Sequence, residues 1–556
     1  MTAKAKSGAK LLFLATLLTA GKLPAADLDG PRLARLAQAA ERAAEAFSRT
    51  RKFLDGWSRH LDGKTGLLPQ SLDQGEKVWT PENSAADNFP FMLIAAWFTD
   101  YERFEPLFRK ALAGEKAVAL QQWNLPSAYD LTRRQMEVRS LDRLIFGASE
   151  YAKDGLVPML EILGPGPWSE RMAELVEGIF VAAAIETKWG KLPSNDAEVN
   201  GELLQILCRL FWISGRQDYL EWARRIGDAY CFEVLPGNHQ VPAHIWDFAG
   251  HTGDGRLMLR DHGCEIISGL SLLFAIEHYL HSEREVAYLP VVERMLRRAQ
   301  EIAVDSLGFF YNEVDAASGE VTGNGLSDCW GYDYYAWVTM SLVTEEQFFL
   351  EPVKKALSNL SRLKGYRWEP HQGERGESQD GIADAVEGAL LLASHLPDSS
   401  AFDFVEHEAA RMFTFQREDG VIEGWWGDGN FARTALMYAF YKTRGTYLRP
   451  WRKDLRLAAE PAGDSLFVYL SSARSWRGKL CFDRRRYREY LSMPVDFPRI
   501  NAFPQWYAVL PDRTYWVEGL QAQGFTAKGR QLAEGIEVSL KPGRPVIVKV
   551  NRVFPN

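Results

Sequence analysis

The stretch QDGIADAVEGALLL, residues 379–392, opens with Asp380 and Asp384 at i and i+4, continues that face with Glu387, and passes into Leu390, Leu391 and Leu392. This spacing is helical, with a polar start and an apolar body. Clusters of the same kind recur as NSAADN around Asp87, SLDR around Asp142, EVNGE around Asn200, LRDHGCE around Asp261, SDCWGYDY around Asp328 and WWGDGNFAR around Asp428. With Asp380 included, neighbouring clusters are 55, 58, 61, 67, 52 and 48 residues apart. Each interval accommodates a helix, a turn, a returning helix and a loop. Six or seven such hairpins need one another to bury their apolar faces. A linear array and a closed ring both meet that need. The ring is the expectation, because it gathers clusters rich in Asp, Asn, Gly and aromatic residues around one cavity.

Outward from these clusters, helical spacing of apolar residues runs from about Leu33 to Thr443, as in Met172, Leu175, Val176, Ile179 and Phe180. After Pro450 the pattern changes to short β-rich runs at 465–471, 479–482, 514–518, 536–541 and 546–550, separated by Gly, Pro and Asp. These predict a small β domain over 451–556 behind a helical domain over 27–450. At the other end, Lys4, Lys6 and Lys10 precede the apolar run 11–18 and the small residues Pro24, Ala25 and Ala26, the layout of a signal peptide over 1–26. The mature chain is therefore expected outside the cytoplasm, periplasmic or extracellular, without stable membrane insertion.

Composition narrows the partners. A formal charge of -8 with no basic cluster argues against nucleic acid. The five cysteines include no close pair, so neither a zinc knuckle nor a disulfide framework is legible. HExxH, CxxC and calcium-loop patterns are absent, and no metal or other cofactor is expected. His239, His244 and His251 lie in a Gly/Pro-rich stretch, residues 236–255, read as a long loop over the mouth of the ring that offers His244, Trp246 or His251 to a ligand. The 18 Trp and 20 Tyr exceed what a core usually takes up, and such rings form flat platforms for ligands that include sugars.

With segments such as RDHGCEIISGL, QDGIADAVEGALLL and WWGDGNFARTALMYA at the helix starts, the chain over about 31–450 resembles the six-hairpin glycosidase superfamily. No single family within it is matched. The resemblance implies a mainly α fold, an (α/α) toroid of about six hairpins followed by a small β-sandwich-like domain. It also implies an oligo- or polysaccharide partner, while toroids of this group host several chemistries.

Glycoside hydrolysis needs a carboxylic acid and a carboxylate about 5–10 Å apart. Asp380 and Asp384 meet the residue requirement, with Glu387 behind them as a binding residue; like charges at that spacing raise one pKa, which suits a general acid. The alternative is that Asp380 caps its helix while Asp384 and Glu387 pair with arginines of a neighbouring hairpin. Arg260, Asp261, His262 and Glu265 mix cation, carboxylate and imidazole. Asp261 is the acid or base candidate there, His262 a catalytic candidate, and Arg260 and Glu265 binding candidates, with a helix cap and a satisfied histidine as the other reading. In SDCWGYDYYAW, Trp330 and Tyr332 are sugar-stacking candidates and Tyr335 a catalytic hydroxyl, set against plain packing between hairpins. Trp425, Trp426, Asp428 and Asn430 form a fourth set, with Asp87 and Asn88 expected across the ring from them; all of these Asp and Asn residues suit helix starts without any chemistry.

The leading expectation is a glycoside hydrolase acting on an acidic, uronate-containing glycan, since several helix N-termini aimed at one cavity favour anions. A polysaccharide lyase with Tyr335 or His262 as base and Arg260 neutralising the uronate is the first alternative. A sugar epimerase and a non-catalytic glycan-binding protein follow.

Overall fold

The computed structural model describes residues 29–553 apart from residues 76, 261, 262, 264, 324, 371–375 and 425. Asp261, His262, Trp425 and the leading residues 1–26 thus lie outside the described residues. No described helix is long and apolar enough to cross a membrane.

Helices alternate between an outer and an inner layer. The outer helix α1 (Gly30–Trp57) is followed by the inner α2 (Phe89–Thr99), which continues a π-helical stretch at Pro81–Asn88. Next come α3 (Tyr101–Val118) outside, and α4 (Leu141–Glu150) and α5 (Val157–Leu163) inside, joined through a second π-helical stretch at Tyr151–Leu156. The outer α6 (Pro167–Ala182) leads to the inner α7 (Ala197–Ser214). The outer α8 (Gln217–Ala229), ending in the short α9 (Leu235–Gly237), leads to the inner α10 (Glu265–Tyr279). The remaining pairs are α11 (Glu283–Ile302) with α12 (Trp330–Thr344), α13 (Leu350–Asn359) with α14 (Gln379–His395), and α15 (Ser399–Met412) with α16 (Asn430–Thr443). This makes seven hairpins among the described residues.

Each inner helix packs on the next, and α16 returns to pack on α2, which closes the ring. Inner helices are buried almost all round, as a central position demands. Small residues set their closest approaches. A methyl group on Gly331 of α12 would stand 2.4 Å from the Gly388 Cα of α14. Where the ring closes, one on Gly429 would stand 1.9 Å from the Asp87 carbonyl oxygen. The Asp87 and Asn430 clusters are therefore neighbours and do not lie across the ring from each other, because the first and last hairpins are the two that meet at the closure.

Beyond the toroid, β1 (Tyr447–Arg449), β2 (Leu455–Ala462), β3 (Ser465–Ser472), β4 (Trp476–Cys481), β5 (Thr514–Glu518), β6 (Phe525–Lys528), β7 (Ile536–Leu540) and β8 (Val546–Arg552) form two antiparallel sheets, ordered β6-β5-β8-β3-β2 and β7-β4-β1. Alternate residues such as Leu455, Leu457, Leu466, Val468 and Leu480 fill one apolar layer between them. The opposite face of β2 and β3 sets Ala458 and Phe467 against Leu36 and Ala40 of α1. Trp476 belongs to the layer between the sheets, whereas Trp506 packs on Tyr441 of the toroid at 5.2 Å between ring centroids.

One stretch departs from the predicted division. Leu491, Met493, Phe497, Ile500 and Phe503 pack with the toroid core rather than with the sheets. The chain leaves the β region, enters the ring from below and returns.

Candidate functional site

The starts of the inner helices surround a cavity of about 380 Å³. Asp380 and Asp384 of α14, Tyr332 of α12, and Asn430 and Arg433 of α16 form one wall. Across the ring, Glu150, Lys153 and Asp154 stand where α4 passes into its π-helical stretch, beside Glu198 of α7 and Glu265 of α10. A π turn widens a helix by one residue and commonly marks a functional position. Ile500 and Asn501 form the floor, and Glu82, Asn83, Asp87, Arg143, Phe146 and Trp426 complete the lining.

On the α14 wall the helix is capped by Ser378, whose hydroxyl accepts from the Gly381 N–H at 2.9 Å, so Asp380 is not needed as the cap. Asp380 instead accepts from the Asn430 amide at 2.6 Å. Arg433, fully enclosed, donates to Asp384 at 2.5 Å, lies 2.7 Å from Glu387, and donates to Asn430 and Asn501 at 2.9 and 2.7 Å. The Tyr332 hydroxyl lies 2.9 Å from both Asp384 and Glu387. Burial, then the Asp380 charge, pushes the Asp384 carboxyl up to about 6, with Arg433 and Tyr332 opposing. Burial pushes Glu387 up to about 7 against Arg433.

The facing wall is more acidic. Burial, followed by the charges of Glu202, Asp154 and Glu198, holds the Glu150 carboxyl well above the usual carboxylate range. Carboxylate oxygens of Glu150, Glu198 and Glu202 come within 4.8 Å of one another, close enough to share a proton or to hold a cation. Lys153 bonds Asp154 at 2.7 Å and also pairs with Glu265, and these carboxylates keep its ammonium charged although it is buried. Glu265 accepts from Gln205 as well.

The floor joins the two walls. Asn501 donates its backbone N–H to Glu387 at 2.7 Å and its side-chain amide to Asp154 at 2.5 Å, while its side-chain oxygen accepts from Arg433 at 2.7 Å. Its φ of +61° lies in the left-handed region that asparagine tolerates better than most residues. Below it, Glu161 is held by Arg209 and Arg499, each at 3.0 Å, and the two guanidiniums draw its carboxyl down to about 2 against the effect of burial.

Of the residues singled out from the sequence, Asp87, Glu265, Tyr332, Asp380, Asp384, Trp426 and Asn430 line the cavity, and Glu387 stands directly behind it. Asp428 is buried, and its carboxylate accepts from the Phe431 N–H at 3.4 Å, as a capping residue does. Asn88 is buried behind the lining, against Gly427. Arg260 pairs with Glu369 at 3.1 Å and does not line the cavity.

Two aromatic assignments are corrected. The Trp330 ring is wholly buried, edge-on to Phe309, and cannot stack on a sugar; Tyr335 is likewise buried, behind Tyr332 and off the cavity. In both cases the side chain faces the inter-helix core, a direction that the number of aromatic residues does not encode. The 236–255 loop also contributes nothing to the lining: Trp246 is buried and donates to Glu233 at 3.1 Å, His251 sits 2.9 Å from the same carboxylate, and His244 lies elsewhere. Glu150, Lys153, Asp154, Glu198, Arg433 and Asn501 were not singled out.

No family model and no curated protein matches the sequence. Among solved structures, the GH76A alpha-1,6-mannanase from Salegentibacter sp. HEL1_6 aligns over 71% of this chain and 98% of its own, at 13% identity and a TM-score of 0.41. Cellobiose 2-epimerase from Bacillus thermoamylovorans B4167 aligns over 71% and 99%, at 11% identity and the same TM-score. A sugar epimerase from a ruminal bacterium aligns over 60% and 90%, at 14% and 0.39.

Proposed function

We propose that this chain is a glycoside hydrolase that cleaves a neutral glycan within the toroid cavity. The observation that carries this reading is that Glu150, whose carboxyl burial and neighbouring carboxylates shift upward, faces the hydrogen-bonded Asp384 across one cavity. In the reaction, Glu150 gives its proton to the glycosidic oxygen as the bond to the anomeric carbon breaks. Asp384 takes a proton from the attacking water, and the remaining hydroxide oxygen forms the new bond to that carbon. Arg433 and Tyr332 orient Asp384, and Asp380 raises its basicity.

Charge argues for a neutral sugar over the uronate expected from the sequence. Eight carboxyl groups, Glu150 the proton-bearing one among them, line the cavity against three basic side chains, and Lys153 and Arg433 are already engaged by carboxylates. A helix N-terminus offers about half a positive charge, which a full carboxylate at the same helix start outweighs. The lyase alternative loses its tyrosine base, since Tyr335 does not reach the cavity.

The test is to incubate the purified protein with neutral and uronate-containing polysaccharides and to follow reducing ends and near-ultraviolet absorption together. Reducing ends from a neutral glycan without new absorption are expected. Absorbing, unsaturated products, or release from uronate polymers alone, would overturn the proposal.

A further inference from the structure

On the side of the ring away from the catalytic cavity, the C-terminal ends of α2, α5 and α16 meet the β region around a second cavity of about 460 Å³. Its charge is opposite in sign to that of the first. Arg449, Lys479, Arg484 and Arg486 line it against Asp483 and Glu534. Asp483 is taken by Arg486 at 3.0 Å, and Arg484 has a distant partner in Glu489 at 3.5 Å. Arg449 and Lys479 have no carboxylate within ion-pair distance among the described residues.

The sheet register makes the last point sharper. Lys479 of β4 stands directly opposite Arg449 of β1 in the antiparallel ladder, a placement of like charges that destabilises a sheet. Its other cross-strand neighbour, Glu537 of β7, could neutralise it, but pairs with Arg477 at 3.7 Å. The Arg449 guanidinium is held over the Trp97 ring, 4.3 Å from its centroid, and donates to the Trp97 carbonyl at 3.2 Å, so it is fixed in place without being neutralised. Tyr447 and Tyr490, both half-buried, also line the cavity, beneath the Arg449 and Arg484 guanidiniums at 5.1 and 5.7 Å from their ring centroids.

We propose that this seam cavity is a second, non-catalytic glycan site for a sugar residue bearing a carboxylate or an ester sulfate. Its anion lies between Lys479, Arg484 and Arg449, and its ring lies beside Tyr447 and Tyr490. A neutral residue would leave the cations without a partner and is not retained. The proposal is independent of the reaction in the first cavity.

Binding of glucuronate, glucose 6-sulfate, glucose and inorganic sulfate to the full chain is measured by titration calorimetry, for the wild type, Asp384→Asn and the double variant Lys479→Glu/Arg484→Glu. Both substituted side chains of the double variant are partly or fully exposed, and its thermal midpoint checks that it folds. At least one anionic sugar is expected to bind, more tightly than glucose and inorganic sulfate. The double variant should weaken that binding at least tenfold, and Asp384→Asn should leave it unchanged. No binding of either anionic sugar, sulfate binding as tight as the sulfated sugar, or unchanged binding in the double variant would overturn it.

Discussion

Asn501 donates its backbone N–H to Glu387 at 2.7 Å, which ties a residue that follows the first four strands of the β region to the helix bearing Asp384. The same side chain reaches Asp154 and Arg433, so one residue sets the separation of the two carboxylate walls. Asn501→Gly keeps the left-handed backbone without strain and keeps the bond to Glu387, but removes both side-chain bonds. Turnover on the glycan substrate should fall at least about tenfold, the scale of one or two lost hydrogen bonds to charged groups. A thermal midpoint near that of the wild type would separate this loss from unfolding.

Asp384→Asn and Glu150→Gln should each lower turnover at least about a hundredfold, the usual lower bound for a general acid or base. The amides keep size and hydrogen-bonding capacity, so circular dichroism should be unchanged. Near-normal turnover in both would remove the pair from the mechanism and return attention to Asp261, the acid or base candidate of the RDHGCE run.

Activity should fall on the acid side as Asp384 takes up a proton, with a limb near 6. Tyr332 hydrogen-bonds the charged form and so lowers this value. Tyr332→Phe is therefore expected to move the limb to higher pH, read from kcat/KM across pH. A limb that stays or moves lower would detach it from Asp384.

The same shifts have a stability consequence. Asp384 and Glu387 have folded-state values of about 6 and about 7, above those of an unfolded chain, so they favour the fold most when protonated. Their contribution is full below about pH 4 and is lost as pH rises through 6 and then 7. Asp384→Asn, which cannot ionise, should gain in melting temperature relative to the wild type between about pH 5 and pH 8.

Gly331→Ala should loosen the ring. The added methyl group would meet the Gly388 backbone at 2.4 Å, where no side chain can move aside, and the two helices must separate. Overpacking of this kind costs about 1–3 kcal/mol, measurable as a lower urea midpoint.

The hairpin layout was legible because every inner helix opens with a polar cluster and then turns apolar, a signal that repeats along the chain. Asp380 and Asp384 were legible for the same reason. Glu150, Lys153 and Asp154 were not, since they lie in the middle of a helical run, well after its polar start at Asp142. Arg433 was hidden as one arginine among many; its importance comes from carboxylates on another hairpin, 46 and 49 residues earlier. Asn501 sits in a stretch where short strands dominate the pattern, and only the run of buried apolar residues around it, Phe497, Ile500 and Phe503, hints that the segment leaves the sheet. Trp330 and Tyr332 look alike in the sequence, yet two positions along a helix turn one ring into the core and the other onto the cavity.

The dipping segment that ends at Phe503 also imposes an order on biosynthesis. A growing chain that has completed the seven described hairpins still lacks Ile500 and Asn501, and with them the Asn501 hydrogen bonds to Glu387, Arg433 and Asp154. Only after some sixty further residues does Asn501 emerge to seal the far opening. The polypeptide therefore completes its cavity last: a chain that stops before residue 491 lacks both the floor residues Ile500 and Asn501 and the core residues Leu491, Met493, Phe497 and Phe503.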